Sequence, residues 1–457
     1  MRVHFIAIGG SAMHNLALAM SSKGYVVTGS DDEIFEPSKS RLSKAGILPK
    51  QWGWFPENIS NDLDAIILGM HARKDNPELV RALELGLKVY SYPEYLYTQT
   101  TDKKRVVVGG SHGKTSVTSM IMHVLKVNGV DFDYMVGAQL DGFDTMVKLT
   151  HEAPIAIFEG DEYLSSPIDL RPKFLWYKPH IAVLTGIAWD HINVFPTFEN
   201  YCQQFSNFVN TIEPNGTLIY FEGDKEIVNI ASDSRNDITK IAYHATQYRA
   251  TDDGVVVIHN NSETNLPIFG NHNMQNVQAA YFVCEQLGIS ESDFYSAIQS
   301  FKGAARRLQT LVSQENFNVY FDFAHSPSKL KATTNAVKEQ YPNHKLIACM
   351  ELHTFSSLNK AFLPQYEGSM NEADEAYVYF NPKVVEHKKL ESFSIKEVEL
   401  AFNHPNLLVF TDSQKLFAHL KTVASQNTTL LMMTSGNFDG QDIKQFANDV
   451  AIHLQCK

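Results

Sequence analysis

The chain has 457 residues, which is too long for one compact core and predicts about three domains. Its composition, 44% hydrophobic and 20% charged, is typical of a folded globular protein rather than of a disordered or fibrous one. The formal charge of −12 and the lack of a long basic run argue against a nucleic acid partner.

The cysteines and the apolar segments indicate a reduced protein that does not enter a membrane. No stretch approaches the roughly 18 uninterrupted apolar residues of a membrane span. The apolar amino terminus is broken by two glycines, a serine, a histidine and an asparagine, which predicts a strand, a turn and a helix start rather than a signal peptide. We therefore expect a cytoplasmic protein, as a monomer or a weak homo-oligomer. The cysteines lack metal-type spacing and are interpreted as reduced packing residues: Cys202, Cys284, Cys349 and Cys456.

The first hundred residues alternate strand-like and helix-like segments. Strands are predicted at VHFIAI, VVTGS, AIILGM and KVYS, with helices from Met13, near Lys39 and over residues 78–85. Strands separated by helices of this length predict a parallel sheet. A polar stretch around residue 102 ends this block, which predicts an α/β domain over residues 1–102.

The rest of the chain predicts two further α/β domains. The middle block carries short apolar strands at 105–108, 155–158 and 181–185 and ends, after a helix over 276–287, near residue 309. The alternation then restarts with strands at 319–323, 345–350, 375–380, 407–410 and 429–435. We therefore predict a middle domain over residues 103–309 and a carboxyl-terminal domain over residues 310–457.

The strongest motif is a glycine-rich loop, GGSHGKTS, between an apolar strand and an amphipathic helix. Helix-terminal N–H groups and a lysine that reaches the outer phosphates bind a nucleotide triphosphate, and the hydroxyl after the lysine can ligate Mg²⁺. Val108 stands where the strict pattern has glycine. The loop nevertheless predicts an ATP site made of Gly110, Ser111, His112, Gly113, Lys114, Thr115 and Ser116.

A second glycine turn, GGSAM, follows the first predicted strand. It resembles a dinucleotide-binding fingerprint, although Ala7 and Ala12 occupy two of the glycine positions. Two interpretations stay open, a site for a nucleotide diphosphate and a tight structural turn. The residues concerned, with an acid about 20 positions later, are Gly9, Gly10, Ser11, Ala12, Met13 and Asp31.

Polar side chains follow two strands of the middle block. Glu159 lies in FEGDE and His191 lies in WDH. The carboxyl ends of parallel strands face the crevice where ligands bind. Beside a phosphate loop, Glu159 and His191 are therefore expected to reach the metal that accompanies ATP.

Two motifs near the start of the third block allow two interpretations each. Asp322 and His325, in DFAHSP, either hold a ribose and orient a nucleophile or begin the next helix. Arg306 and Arg307 are either an exposed pair or a clamp on a transferring phosphate.

Taken in order, these motifs resemble those of the Mur ligase family of peptidoglycan synthesis. GGSAM is similar to that family's UDP-binding turn, GGSHGKTS to its ATP loop, and FEGDE and WDH to its metal segments. GNHNMQN is similar to its adenine-contacting segment, RRL to its Arg-Arg-Phe motif, and DFAHSP to its Asp-Tyr-Gly-His-His-Pro or Asp-Tyr-Ala-His-Thr-Pro motif. The resemblance implies a Rossmann-like UDP-binding domain, a central P-loop ATPase-type domain and a Rossmann-like carboxyl-terminal domain that binds the amine.

The resemblance also implies an enzyme that uses ATP and Mg²⁺ to join UDP-N-acetylmuramate to a peptide or amino-acid amine through an acyl phosphate. The glycine turn and Asp31 would bind the UDP-sugar, and Lys114 the ATP phosphates. The implied roles of the other residues are Mg²⁺ binding for Thr115, Glu159 and His191, adenine contact for Asn276, phosphoryl contact for Arg307, ribose contact for Asp322 and substrate positioning for His325.

The amine substrate is the least determined part. Tyr163 and residues 169–179 resemble the members that use the tripeptide L-alanyl-γ-D-glutamyl-meso-diaminopimelate in peptidoglycan recycling, whereas alanine-adding members usually have serine in place of Tyr163. Ser326 and His353 depart from the tripeptide ligases, which have histidine and arginine there. L-Alanine is the alternative amine. A non-catalytic nucleotide-binding regulator and an NAD-dependent dehydrogenase are alternatives of other classes, and the dehydrogenase leaves the Lys114 loop unexplained.

Overall fold

The amino-terminal part of the chain forms a four-stranded parallel sheet in the order β2-β1-β3-β4. A computed structural model describes residues 1–260 and 262–455, so Cys456 lies outside the described residues. The strands are β1 (Arg2–Ile6), β2 (Val26–Ser30), β3 (Ala65–Leu68) and β4 (Val89–Ser91). The helices are α1 (Ser11–Ser22), α2 (Ser38–Lys44), α3 (Pro77–Glu84) and α4 (Tyr92–Thr98). The predicted alternation and the parallel sheet are confirmed.

A seven-stranded sheet follows in the order β11-β10-β9-β5-β8-β6-β7, and only the edge strand β7 is antiparallel to its neighbour. Its strands are β5 (Lys104–Gly109), β6 (Asp133–Met135), β7 (Val147–Lys148), β8 (Ile155–Gly160), β9 (Ile181–Leu184), β10 (Thr217–Phe221) and β11 (Thr239–Tyr243). Its helices are α5 (Lys114–Val127), α6 (Phe198–Asn210) and α7 (Lys225–Asp233). Because β5 lies between β8 and β9, the loops that follow these three strands leave the sheet side by side.

A small antiparallel sheet, which the sequence did not lead us to expect, comes next. Its strands are β12 (Gln247–Thr251), β13 (Gly254–His259) and β14 (Ser262–Leu266). Two helices follow it, α8 (Asn271–Gln286) and α9 (Glu291–Ile298). The outer strands are rich in polar residues, so hydrogen bonding to β13 rather than an apolar pattern defines them.

The carboxyl-terminal part forms a six-stranded sheet in the order β15-β16-β20-β17-β18-β19, parallel except for the edge strand β15. Its strands are β15 (Gln309–Gln314), β16 (Phe317–Asp322), β17 (Lys345–Leu352), β18 (Glu375–Phe380), β19 (Leu407–Phe410) and β20 (Thr428–Met433). Its helices are α10 (Pro327–Gln340), α11 (Pro382–His387), α12 (Ile395–Phe402), α13 (Ser413–Val423) and α14 (Ile443–Gln455). The five predicted strands are confirmed, and β15 is additional.

Each large sheet has an apolar core. In the six-stranded sheet, Ile347 and Met432 are fully buried and belong to the same cluster as Phe417 and Phe446 from the covering helices. Cys284 and Cys349 are fully buried free thiols, and burial raises the pKa of both. This agrees with the prediction that they are packing residues. No helix within residues 1–260 and 262–455 is long and apolar enough to cross a membrane.

The chain divides into two compact units. The first comprises Met1–Ile187, Phe198–His244 and Ala279–Phe294, and it contains the four-stranded and seven-stranded sheets. The second comprises Ala188–Thr197, Ala245–Gln278 and the chain from Tyr295 onward, and it contains the other two sheets. The domain boundaries near residues 102 and 309 stay predictions.

Candidate active site

The glycine-rich loop has the predicted strand, loop and helix context. Strand β5 ends at Gly109, and α5 begins at Lys114. Gly110 and Gly113 adopt positive φ angles of 141° and 77°, which residues with a side chain rarely adopt. The first N–H groups of α5 have no acceptors within the helix, so the loop is suited to bind phosphate.

The residues that directly follow β9 hold the glycine-rich loop in place through hydrogen bonds. The sequence had assigned these residues no role. Ser111 N donates to Gly186 O at 2.8 Å, and the Thr185 hydroxyl donates to the carbonyls of Gly109 and His112. A Cβ on Gly186 would lie 2.1 Å from the His112 ring. The only sequence signal was position, because these residues directly follow the strand next to β5.

Lys114 projects from the first turn of α5 towards acidic residues that follow β8. Its Nζ donates to Gly110 O and to Glu162 Oε2, both at 2.6 Å. Glu162 is 1% exposed, and its other oxygen accepts the Tyr201 hydroxyl at 3.0 Å. Burial opposes the charge on Lys114, but Glu162 and Asp161 outweigh it and raise the pKa of the ammonium. The lysine is therefore a fixed positive charge on the phosphate loop.

Thr115 and Glu159, two of the predicted metal ligands, lie together. Thr115 Oγ1 donates to Glu159 Oε1 at 2.9 Å, and Gly137 N donates to Glu159 Oε2 at 2.7 Å. Mg²⁺ prefers oxygen ligands and is commonly held by one or two side chains together with substrate phosphates. The hydroxyl and the carboxylate fit that ion. Within the described residues, no group of three or more His, Cys, Asp or Glu side chains could hold a metal by itself.

The amino-terminal glycine turn leads directly into α1, which begins at Ser11. Gly9 N donates to Asp31 Oδ2 at 2.7 Å, so the two predicted parts of this site are joined. Burial and the neighbouring Asp32 raise the pKa of Asp31 to about 6. Ser11 and Ala12 are exposed and Met13 is buried.

Asp322, Arg307 and Asn276 lie in the second unit. Asp322 accepts Ala324 N at 2.7 Å on one carboxylate oxygen and Leu308 N at 2.5 Å on the other. Each oxygen has a second lone pair, so these bonds are compatible with a further contact to ribose. The Arg307 guanidinium lies over the Phe323 ring, and Asn276 Nδ2 donates to Asn273 Oδ1 at 3.5 Å.

The other arginine of the pair, Arg306, is tied to the end of β20. Its Nη2 donates to Gly436 O at 2.7 Å, and its guanidinium lies over the rings of Phe321 and Phe323. Burial and the charge of Arg307 lower the pKa of Arg306. Arg306 is thus a packing residue of the six-stranded sheet.

The carboxylate of Asp190, also in the second unit, contacts the main chain of His191 and the side chain of His325. Asp190 Oδ1 accepts His191 N at 2.7 Å, and Asp190 Oδ2 lies 3.7 Å from His325 Nε2. The Lys329 ammonium is 4.0 Å from the same oxygen, and Ser356 Oγ donates to Asp190 at 3.3 Å. Burial opposes the charge on Asp190, but its pKa is lowered because His325 and Lys329 outweigh burial. Sequence reasoning named WDH without a role for its aspartate.

The predicted residues therefore form two groups. The first unit holds the phosphate loop from Gly110 to Ser116, Glu159, the turn from Gly9 to Met13, and Asp31. The second unit holds His191, Asn276, Arg307, Asp322 and His325. Only the structure adds four further residues to these groups: Glu162, Tyr201, Thr185 and Asp190.

Comparison with known proteins matches three successive segments of the chain to models of one family. Residues 2–103 match the "Mur ligase family, catalytic domain", residues 108–284 the "Mur ligase middle domain" and residues 306–436 the "Mur ligase, glutamate ligase domain". The crystal structure of the UDP-N-acetylmuramate–alanine ligase of Thermotoga maritima has a TM-score of 0.69 and 21% identity, over 100% of this chain and 99% of that chain. This likeness establishes the fold.

Two curated relatives match most of the chain in sequence. The UDP-N-acetylmuramate–L-alanine ligase of Arthrobacter sp. (strain FB24) is 30% identical over 390 residues, 82% of this chain and 80% of that protein. The UDP-N-acetylmuramate–L-alanyl-gamma-D-glutamyl-meso-2,6-diaminoheptandioate ligase of Haemophilus influenzae is 26% identical over 450 residues, 96% of this chain and 97% of that protein.

Fold and phosphate loop together define an ATP-dependent ligase that forms carbon–nitrogen bonds, built from three α/β domains with the ATP-binding domain in the centre. The chain belongs to the Mur ligase family.

Proposed function

We propose that this protein joins the carboxylate of UDP-N-acetylmuramate to the alanine amine of L-alanyl-γ-D-glutamyl-meso-diaminopimelate and releases ADP and phosphate. The observation that carries the ligase chemistry is the arrangement of Lys114, held at 2.6 Å by Glu162, next to the Thr115–Glu159 pair. Such a site binds the triphosphate and its Mg²⁺ at the start of α5. Because ATP is a cytoplasmic substrate, we place the reaction in the cytoplasm.

The reaction needs an activated carboxylate, because a free carboxylate is a poor electrophile. A carboxylate oxygen of the muramate attacks the γ-phosphorus of ATP, the bond to the bridging oxygen breaks and ADP leaves. The amine nitrogen then attacks the acyl carbon, phosphate leaves and the nitrogen loses a proton. The protein contributes positioning and charge neutralisation rather than a covalent intermediate.

The residues divide these tasks in the proposed mechanism. Lys114 and the N–H groups of α5 hold the β- and γ-phosphates, where negative charge moves during transfer. Mg²⁺ would be held by Thr115, Glu159 and His191 and would supply neutralisation of the phosphate charge. The remaining roles are Arg307 on the transferring phosphoryl group, Asn276 at adenine, Asp322 at ribose and His325 in substrate positioning.

The assignment of domains follows from these roles. We propose that residues 1–102 bind the UDP-sugar through Gly9 to Met13 and Asp31. Residues 103–309 bind ATP, and residues 310–457 complete the ATP site and bind the amine.

The tripeptide is supported by the segment after β8. Lys173 N donates to Tyr163 O at 2.9 Å, and Trp176 Nε1 donates to Asp169 Oδ2 at 2.7 Å, so the two sequence stretches that resemble tripeptide ligases form one closed loop. The match to the Haemophilus influenzae tripeptide ligase spans 96% of this chain. L-Alanine is the second candidate, because the relatives at 30% identity carry that substrate in their names.

One phosphate-release assay tests the proposal. The purified protein is supplied with ATP, Mg²⁺ and UDP-N-acetylmuramate, and the tripeptide and L-alanine are compared as amines. We expect turnover to require both the muramate and an amine, with far faster release for the tripeptide. Equal or faster turnover with L-alanine would move the assignment to the alanine ligase. No turnover with any amine would favour the non-catalytic regulator.

A further inference from the structure

A second ammonium group lies at the carboxyl end of β8, beside the phosphate loop. Lys173 Nζ donates to Asp161 Oδ2 at 2.5 Å, and Asp161 directly follows the last residue of β8. Both side chains are open to solvent in part, since 23% of the Lys173 side chain and 37% of the Asp161 side chain are exposed. The proposed mechanism uses neither residue.

The main chain holds Lys173 in this position. Lys173 N donates to Tyr163 O at 2.9 Å, and Phe174 N donates to Asp161 O at 3.1 Å. The fully buried Phe174 ring packs against the start of the phosphate loop, because a Cβ on Gly109 would lie 3.5 Å from Phe174 Cδ2. The residue next to Lys173 is thus fixed against the last residue of β5, and all of these residues lie in the first unit.

The two ammonium groups have different partners. Lys114 is held by Gly110 O and by the buried Glu162, and it serves the phosphate loop. Asp161 also lies near Lys114, since its charge helps to raise the pKa of that ammonium. Lys173 contacts a partly exposed carboxylate, which an arriving anion can replace.

The reaction needs a positive charge for its nucleophile. Two ammonium groups face three carboxylates at this end of the sheet, those of Glu159, Asp161 and Glu162. ATP adds the negative charge of its triphosphate, so a substrate carboxylate that approaches the γ-phosphate is repelled. A cation that is not already used on the phosphates therefore favours the approach of the carboxylate.

We propose that Lys173 binds the carboxylate of the muramate in exchange for Asp161. One carboxylate oxygen attacks the γ-phosphorus, and the other stays on the Lys173 ammonium and becomes the carbonyl oxygen of the acyl phosphate. When the amine attacks, the same ammonium stabilises the negative charge that develops on this oxygen. The proposal rests on the proposed function, because it takes the muramate carboxylate as the substrate group. It adds the residue that holds this group during both steps.

The test compares two ligands that differ in this carboxylate. UDP-N-acetylglucosamine is UDP-N-acetylmuramate without the lactyl ether that carries the carboxylate. Calorimetry measures the affinity of the full-length protein for both, with a non-hydrolysable ATP analogue and Mg²⁺ at saturation so that UDP does not enter the phosphate loop. Wild-type protein should prefer the muramate. Lys173→Met should reduce that preference about ten-fold, the scale of one charged hydrogen bond, without changing the affinity for UDP-N-acetylglucosamine, and Lys173→Arg should restore most of it.

Asp161→Asn distinguishes substrate binding from a merely structural ion pair. This variant breaks the pair but keeps the Lys173 ammonium, so it should retain the preference for the muramate. In steady-state kinetics, Lys173→Met should lower kcat/KM for UDP-N-acetylmuramate about ten-fold or more and leave the KM for the amine unchanged.

The matched control is Lys148→Met. Lys148 Nζ forms a comparable ion pair with Asp131 Oδ1 at 2.7 Å, on the edge strand β7. Its removal should leave the affinity for both UDP-sugars unchanged.

The outcomes separate this inference from the proposed function. If Lys173→Met keeps the wild-type preference, or if Asp161→Asn loses it to the same extent, the role at the carboxylate is wrong, while muramate-dependent ligation by the wild-type protein stands. A loss of affinity for the ATP analogue rather than for the muramate would assign Lys173 to the phosphates and overturn the inference as well. If wild-type protein does not prefer the muramate and shows no muramate-dependent phosphate release, the proposed function fails and the inference fails with it.

Discussion

The Lys114 ammonium lies 2.6 Å from Glu162 Oε2, and Glu162 is almost completely buried. The same lysine donates to Gly110 O, so its position is fixed from two sides. A buried carboxylate beside a phosphate-binding lysine keeps that lysine charged and directed at the loop. This pair is the basis of the first prediction.

Lys114→Ala should lower ATP-dependent phosphate release by about 10²- to 10³-fold, since a preorganised charge at a transferring phosphate contributes on this scale. The melting temperature should also fall, because the substitution removes the ammonium that pairs with the buried Glu162 carboxylate, so activity is measured at a temperature at which both proteins are folded. Lys126→Ala, in the last turn of the same helix, serves as the control and should retain activity. Full turnover by Lys114→Ala would remove the ATP site from this loop.

Gly110→Ala should destabilise the protein and abolish ATP binding. A Cβ at Gly110 would lie 2.1 Å from Thr185 Oγ1, and the φ angle of 141° is itself unfavourable for alanine. Gly129→Ala is the matched control, because Gly129 also has a positive φ but has no atom within 4 Å of the added Cβ. The melting temperature and the nucleotide affinity of both variants are measured by calorimetry and titration. Equal values for Gly110→Ala and Gly129→Ala would show that the added Cβ does not clash with Thr185.

Asp190→Asn should lower kcat and destabilise the protein by about 1–3 kcal/mol, because the buried carboxylate that faces His325 and Lys329 loses its charge. Ser356→Ala removes only one hydrogen bond of 3.3 Å to Asp190 and should have a smaller effect. Denaturant unfolding and steady-state kinetics compare the two variants. A larger loss of stability in Ser356→Ala than in Asp190→Asn would show that the charge of Asp190 does not stabilise the protein.

Glu351→Gln should make stability less dependent on acid pH. Burial opposes the charge on Glu351, but hydrogen bonds from His353 and Thr434 outweigh it and lower the pKa of the carboxyl. A carboxyl with a lowered pKa in the folded state stabilises the protein above its unfolded pKa, near 4.5, and this contribution is lost as pH falls through the folded value.

The measurement for Glu351 is the free energy of unfolding at pH 7 and at successively lower pH. The variant should be less stable than wild type by about 1–2 kcal/mol at pH 7, and the difference should shrink below pH 4.5. Glu399→Gln, an exposed position on α12, should follow the wild-type curve. A difference for Glu351→Gln that is constant with pH would show that its charge does not contribute.

Lys388→Met should raise the KM for the tripeptide about ten-fold and change the KM for L-alanine little. Lys388 is half-buried and its Nζ donates to His353 O at 2.8 Å, in the region that sequence resemblance assigns to the incoming peptide. The tripeptide carries carboxylates that L-alanine lacks, so a cation here matters more for the peptide. Lys383→Met, on the exposed side of α11, is the control. Equal effects on both amines would contradict this role.

The sequence was sufficient where the relevant signal is local. The apolar run before Gly109 and the helix-forming residues after Lys114 specify β5, the loop and α5, because strand and helix periodicity and glycine conformations are encoded in adjacent residues. The same holds for the five strands of the carboxyl-terminal sheet. Family resemblance then supplied an order of motifs that matches the family assignment.

Only the tertiary structure identified the partners of these residues. Glu162 follows Lys114 by 48 positions, and Ser356 follows Asp190 by 166. The polar strands β12 and β14 are defined by their hydrogen bonds to β13, which lies between them. A hydrogen bond between residues so far apart depends on how strands are ordered in a sheet, and no local pattern of hydrophobicity or charge records that order.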